Sequence, residues 1–208
     1  MESALDPDVA PGKRKLIEAA LRLTAGGRSL TTLGLRELAR EAGLNPNTFY
    51  RHFETLDDIA LEAIESVSHK LRPMLRRGRW LTTHDEPYGV PRRACAAFFA
   101  FVLENPEAFL RALVEYHGTS ATLRAAVREN LRDVSTEMSD DVVQLQLMPE
   151  LPRATVDEIC TQIVLHLFHL SSEYLASAEQ RDALLDYSER FVVRLFAGAT
   201  ALAQHQHA

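Results

Sequence analysis

The chain has 208 residues, 46% of them apolar, with 29 acidic against 23 basic side chains and a net charge of −6. That is apolar material enough for a small domain plus a larger one, and no run approaches the ~18 apolar residues of a membrane helix. The acidic stretch Met1-Glu2-Ser3 to Asp8 is unlike a secretory leader, and Cys95 and Cys160 are far apart without CxxC spacing, so buried thiols in a cytoplasmic protein are expected.

The first predicted helix covers 13–25, with Leu16, Ala20 and Leu23 as its inner stripe and Gly26-Gly27 as its stop. The second has Leu35, Leu38, Ala39 and Ala42 on one face and Arg36, Glu37, Arg40 and Glu41 on the other, the i, i+3, i+4, i+7 pattern of an amphipathic helix. Gly34 replaces a capping hydroxyl at its start, and Glu37, three residues on, is placed to reach back to the Gly34 N–H. Gly43 suits the left-handed conformation that ends a helix and turns the chain. Asn45 offers an N-cap oxygen, Pro46 fits the first helical position and Thr48 falls at N3, so a third helix begins at Pro46. Phe49 and Phe53 face inward on it, whereas Asn47, Thr48, Tyr50, Arg51 and His52 face outward with hydrogen-bonding groups, as a helix that reads a DNA groove requires.

Thr55 and Asp58 form a capping box for a fourth helix that runs through Ile59, Ile64, Val67 and Leu71 towards Arg79, with Pro73 inside it. A loop at 82–91 precedes predicted helices at 92–103, 106–117, 120–148, 154–176 and 180–203, with Pro149 and Pro152 between two of them. No strand pattern or repeat occurs. The expected fold is all-α: a helix-turn-helix DNA-binding domain at 11–56 of three helices, a linking helix at 56–79, and a larger helical ligand-binding and dimerisation bundle over 57–208.

Charge is unevenly spread. From Pro11 to Glu54 eight Lys or Arg face four acids, a net of +4, which leaves −10 on the rest. Screening beyond ~8 Å at physiological salt makes the local sum decide phosphate attraction.

The segments Leu38-Ala39, Ala42-Gly43-Leu44-Asn45 and Tyr50-Arg51-His52-Phe53 resemble the DNA-binding pattern of the TetR family of helix-turn-helix regulators over roughly residues 13–60. Leu56 stands where that family often has a Lys, and Asn45-Pro46-Asn47 replaces its Ser-Lys-Gly-like start, so phosphate contact falls to Arg36, Tyr50, Arg51, His52 and backbone amides at helix starts. The resemblance implies a repressor that binds double-stranded DNA at a palindromic operator as a homodimer. Asn45, Asn47, Thr48, Tyr50, Arg51 and His52, with Arg36, are the DNA-binding candidates. No enzymatic activity, cofactor or membrane partner is expected, because no nucleophile elbow, Gly-rich phosphate loop or HExxH occurs.

A narrower resemblance rests on Leu35 to Gly43, Tyr50-Arg51-His52-Phe53, Leu56, and Glu115-Tyr116-His117-Gly118-Thr119-Ser120 followed by Arg124-Ala125-Ala126-Val127. It is to the bacterial branch that represses unsaturated fatty-acid synthesis or desaturation. It implies a long-chain acyl-CoA thioester as effector, with the Glu115–Ser120 segment in the regulatory domain. Phe98, Phe101, Val102, Phe109, Leu113 and Phe168 are the ligand-binding candidates, and Arg72, Arg76, Arg77 and Arg79 could grip phosphates or merely be a solvated helix end. Alternatives are a TetR-like repressor of another small hydrophobic ligand and, more weakly, a metal sensor built on His166, His169 and His117. The stripes Ile159, Ile163, Leu167, Leu170, Tyr174 and Leu184, Phe191, Leu195, Ala199, Leu202 read either as a dimer seam or as core.

Overall fold

The structure, a computed structural model, describes residues 10–24, 28, 32–80 and 89–206, and all the regular structure among them is helical. The helices are α1 (Pro11–Thr24), α2 (Leu35–Glu41), α3 (Pro46–Phe49), α4 (Leu56–Trp80), α5 (Val90–Glu104), α6 (Pro106–Tyr116), α7 (Ala121–Gln144), α8 (Arg153–Ala176) and α9 (Arg181–Gln206), with a 3-10 turn at Ala178–Gln180 before α9. None is long and apolar enough to cross a membrane.

Two compact units divide the chain, and α4 and α7 contribute to both: one unit takes Met1–Lys70 with Asn105–Asn130, the other Leu71–Glu104 with Leu131–Ala208. The first therefore holds more than the three N-terminal helices, since α6 and the beginning of α7 belong to it. Its core joins Leu16, Ile17 and Ala20 of α1 to Leu38, Phe49, Phe53, Ile59 and Leu123. The Glu115–Ser120 segment, assigned from resemblance to a regulatory domain, lies in this unit.

Helix ends follow hydrogen-bonding rules that the sequence shows unevenly. At the end of α2 the Leu44 N–H donates to the Ala39 carbonyl at 2.9 Å and the Gly43 N–H to that of Arg40 at 3.1 Å, with Gly43 at φ +65°. This paired pattern closes a helix through a left-handed residue. Beyond α7 the same pair recurs, Leu147 N–H to Val142 and Gln146 N–H to Val143, each at 3.1 Å, with Gln146 at φ +49°. Lacking a glycine signal there, the sequence pattern extends α7 to 148, whereas the structure ends it at Gln144.

In the second unit, Phe99 of α5 stacks on Tyr174 of α8 with ring centroids 4.1 Å apart, and Arg92 of α5 bonds Asp186 and Glu189 of α9, each at 2.7 Å. Buried between these helices, Cys95 has its thiol pushed up to about 12, by desolvation first and then by Glu189. Ile159, Ile163, Leu167 and Tyr174 are buried within this single chain. Leu170, the remaining member of that α8 stripe, is half-buried, so most of the stripe is core.

Candidate nucleic-acid interface

Helix α2 buries Leu38 and Ala39 completely, and the methyl of Ala39 keeps that face narrow. Without a side-chain cap at Gly34, the Glu37 carboxylate accepts from the Gly34 N–H instead, as the sequence anticipates. It also receives two bonds from the Arg28 guanidinium, at 3.0 and 3.3 Å, which hold it below the usual carboxylate range.

After the turn at Gly43, the Asn45 side-chain oxygen accepts from the Asn47 N–H at 2.9 Å and Pro46 opens α3. The regular helix is only four residues long. The chain nevertheless stays coiled to Phe53 through bonds from Arg51 to the Thr48 carbonyl and from His52 and Phe53 to that of Phe49. Phe49 and Phe53 are buried with rings 5.9 Å apart, so the inward face is as expected.

The outward face is narrower than the sequence suggests. Asn47, Tyr50 and Arg51 are exposed, Tyr50 at 66%, an unusual state for an aromatic side chain that has an apolar core directly beneath it. Thr48 and His52 are half-buried against α1: a Cβ at Gly12 would stand 3.0 Å from His52 Nε2 and 3.7 Å from the Thr48 methyl. Asn45 is exposed, yet its oxygen is committed to the cap, leaving the amide NH2 as its outward group. Arg36 lies exposed on α2.

The local positive balance divides in the same way. Lys13 pairs with Glu62 at 2.6 Å, and Arg22 and Arg28 pair with Glu41 and Glu37, each at 3.0 Å. Lys15, Arg36, Arg40 and Arg51 are exposed. Both acids of α2 are thus matched by cations from outside it, which limits their repulsion of phosphate.

An exposed aromatic-polar-cationic face on a capped helix, backed by buried phenylalanines behind a tight turn, matches a known design. Residues 16–63 fit the family model described as bacterial regulatory proteins, tetR family. Over those residues the helix-turn-helix unit is similar to that of the tetR family. The whole fold is similar to a tetR family transcription regulator from Shewanella sp. PV-4 (14% identity, TM-score 0.67, covering 89% of this chain and 95% of that one). It is also similar to the fatty acid degradation regulator FadR from Bacillus halodurans (14%, 0.72, 92% and 97%) and to a transcriptional regulator from Pseudomonas aeruginosa PAO1 (18%, 0.70, 92% and 94%). The matched family model and these proteins are described as regulators.

Other sequence-derived candidates fall as follows. Phe98, Phe101, Val102 and Phe168 are buried in the second unit, while Phe109, buried, and Leu113, half-buried, belong to the first. Arg72 pairs with Asp133 at 2.8 Å and Glu137 at 3.4 Å, and Arg76 lies 3.7 Å from Asp141. These two arginines serve an α4–α7 ion-pair ladder, which removes them from a phosphate grip; the Arg77 and Arg79 side chains lie outside the described residues. His166 stacks on Phe191 at 3.9 Å with its pKa lowered by burial and then by His169, and the His169 ring nitrogen meets the Leu165 carbonyl at 2.7 Å. Among the described residues no group of three or more His, Cys, Asp or Glu is placed to hold a metal. Glu65 and His69, four apart on α4, form an exposed pair at 3.8 Å.

One residue that sequence reasoning did not assign to the reader also touches it, held by a second. The Arg111 guanidinium on α6 donates to the carbonyl of Thr24, the last residue of α1, and to Glu115 at 3.1 Å. The available signal was an Arg and a Glu four apart on a largely apolar helix.

Proposed function

We propose that the chain is a ligand-responsive transcription repressor that binds a palindromic operator as a homodimer, with Asn47, Tyr50 and Arg51 on the groove side and Asn45, Thr48, His52 and Arg36 at the flanks. The observation that carries this reading is the exposed set Asn47, Tyr50 and Arg51 on the tetR-family unit. An Asn pairs in two-point fashion with adenine and an Arg with guanine, while a Tyr hydroxyl suits phosphate.

Homodimerisation draws support from α9, where Tyr187, Val193 and Leu202 expose apolar surface, Leu202 at 67%. One such reader covers few base pairs; two related by a dyad reach half-sites about 34 Å apart. The effector is a small hydrophobic molecule, and a long-chain acyl thioester is the reading we favour. Two observations support it: the likeness to a fatty acid degradation regulator and the buried apolar set Phe98, Phe101, Val102 and Phe168 within the second unit. To switch a promoter, the effector must prefer one of two states by a few kcal/mol.

Selection of duplexes from a random inverted-repeat pool tests the first part. One consensus bound by the wild type, lost on Tyr50→Ala/Arg51→Ala, supports it; indifference to sequence overturns it. Repeating the measurement with saturated and unsaturated acyl thioesters tests the effector, and an affinity unmoved by any of them removes the acyl reading alone.

A further inference from the structure

We infer that Arg111 is a positioning residue of the DNA-reading unit: held by Glu115, it clamps the C-terminal end of α1 and thereby sets α2. The inference rests on the regulator reading for its functional consequence, though not for its geometry.

The last carbonyls of any helix lack intrahelical partners. At the end of α1 the Thr24 hydroxyl bonds back to the Ala20 carbonyl at 2.6 Å, and the Thr24 carbonyl receives the Arg111 guanidinium from α6. Arg111 is 4% exposed and Glu115 wholly buried, so this is a charged clamp inside the first unit. Such pairs are poor devices for stability, since an apolar pair of the same volume commonly does as well. Their particular property is direction: a guanidinium fixes two acceptors in one plane.

The clamped point lies immediately before the connection that leads to α2. That helix is tied back to α1 by Arg22–Glu41 and to the connection by Arg28–Glu37, both exposed pairs of modest strength. Arg111 is therefore the buried hydrogen-bond anchor at the end of α1 on which these outer ties depend for their register.

The test uses the full-length protein carrying Arg111→Met/Glu115→Met, which keeps volume and removes both charges together, and separately Arg111→Lys, which keeps a charge by Glu115 but loses the planar fork. Hydrogen exchange at the Leu38 amide of α2 and at the Ala42 and Leu44 amides that bond back to its carbonyls is read beside operator affinity and its salt dependence. With α8 protection as in wild type, we expect α2 exchange to accelerate about tenfold or more in both variants, the loss typical of a charge-assisted bond. Operator affinity should fall by a similar factor with the slope of log K on log salt unchanged, because no phosphate contact is removed. Wild-type exchange in α2 together with wild-type affinity in Arg111→Lys overturns the inference. If α2 loosens but the wild type itself selects no duplex, the clamp stands and the regulator reading falls.

Discussion

Asp58 and Thr55 exchange hydrogen bonds at the head of α4: the Asp58 carboxylate accepts from the N–H of Thr55 at 2.7 Å and of Glu54 at 2.9 Å, while the Thr55 hydroxyl receives the Asp58 N–H at 3.3 Å. The Thr55 N–H chiefly, with that of Glu54, holds the Asp58 carboxyl below its ordinary range. A carboxylate with a lowered folded value stabilises above its unfolded pKa and loses that contribution as pH falls through the folded one. Asp58→Asn should therefore cost about 1 kcal/mol at neutral pH. The gap to wild type should close towards about pH 3, near and below the carboxylate range. Urea unfolding at both pH values measures it, and an equal loss at each would show that the charge plays no part.

The left-handed residues Gly43 and Gln146 end two helices with the same hydrogen-bond pair, so substitutions at them should have opposite signs. A Cβ at Gly43 would meet nothing within 4 Å, and the cost of Gly43→Ala is then backbone strain alone, about 1 kcal/mol. Gln146→Gly relieves that strain and should gain about 0.5 kcal/mol after the greater entropy of the unfolded glycine is subtracted. Thermal unfolding of the two variants checks both signs.

This contrast also marks what could be read from the chain. Where a cap is written in the residue type, as at Asn45, Gly43 or Thr55–Asp58, the sequence locates it. Where a glutamine takes the left-handed position, it misses the helix end. The inward phenylalanines Phe49 and Phe53 were legible from their spacing. The withdrawal of Thr48 and His52 towards Gly12 was not, because the close approach of α1 is a tertiary fact. For the same reason the α8 stripe could not be divided between core and seam: periodicity shows that a face is apolar, not what covers it.

Asn45 has two separable tasks, a cap through its oxygen and an outward amide. Asn45→Asp keeps the acceptor and places a negative charge favourably at a helix start, so stability should hold while DNA affinity drops through repulsion of phosphate. Asn45→Ala should lose about 1 kcal/mol of stability as well. Unfolding and gel-shift measurements on the same preparations separate the tasks, and parallel behaviour of the two variants would merge them.

Arg36 is exposed on α2 and Arg51 on the turn that continues α3. If Arg36 meets phosphate, Arg36→Ala weakens every duplex alike and lowers the salt slope by about 1. If Arg51 meets a base edge, Arg51→Ala relaxes the preference at one base pair, by about 1–3 kcal/mol. Affinities over a salt series, with the selected duplex and its single-base variants, assign each arginine; an unchanged slope and an unchanged preference would take that residue out of the interface.

Gly118 lies where α6 ends, and a Cβ there would stand 2.9 Å from Glu115 Oε2, 3.1 Å from the Val114 carbonyl oxygen and 3.3 Å from the Glu115 Cα. A shift of that carboxylate would disturb the bond its other oxygen accepts from the Arg111 guanidinium, and the other two atoms are backbone. The Gly118 carbonyl is in turn held by Arg124 at 2.6 Å, and two residues on, Ser120 reaches Asp57 at the start of α4 with a 3.0 Å bond. Relief by moving the turn would therefore draw on α4, which costs more than relief by moving a free side chain. Gly118→Ala should destabilise the first unit by about 1–3 kcal/mol, the range for an overpacked site. Hydrogen exchange should report the loss first in α6 and the start of α4. A variant as stable as wild type would mean that the turn carrying Gly118 moves independently of both helices.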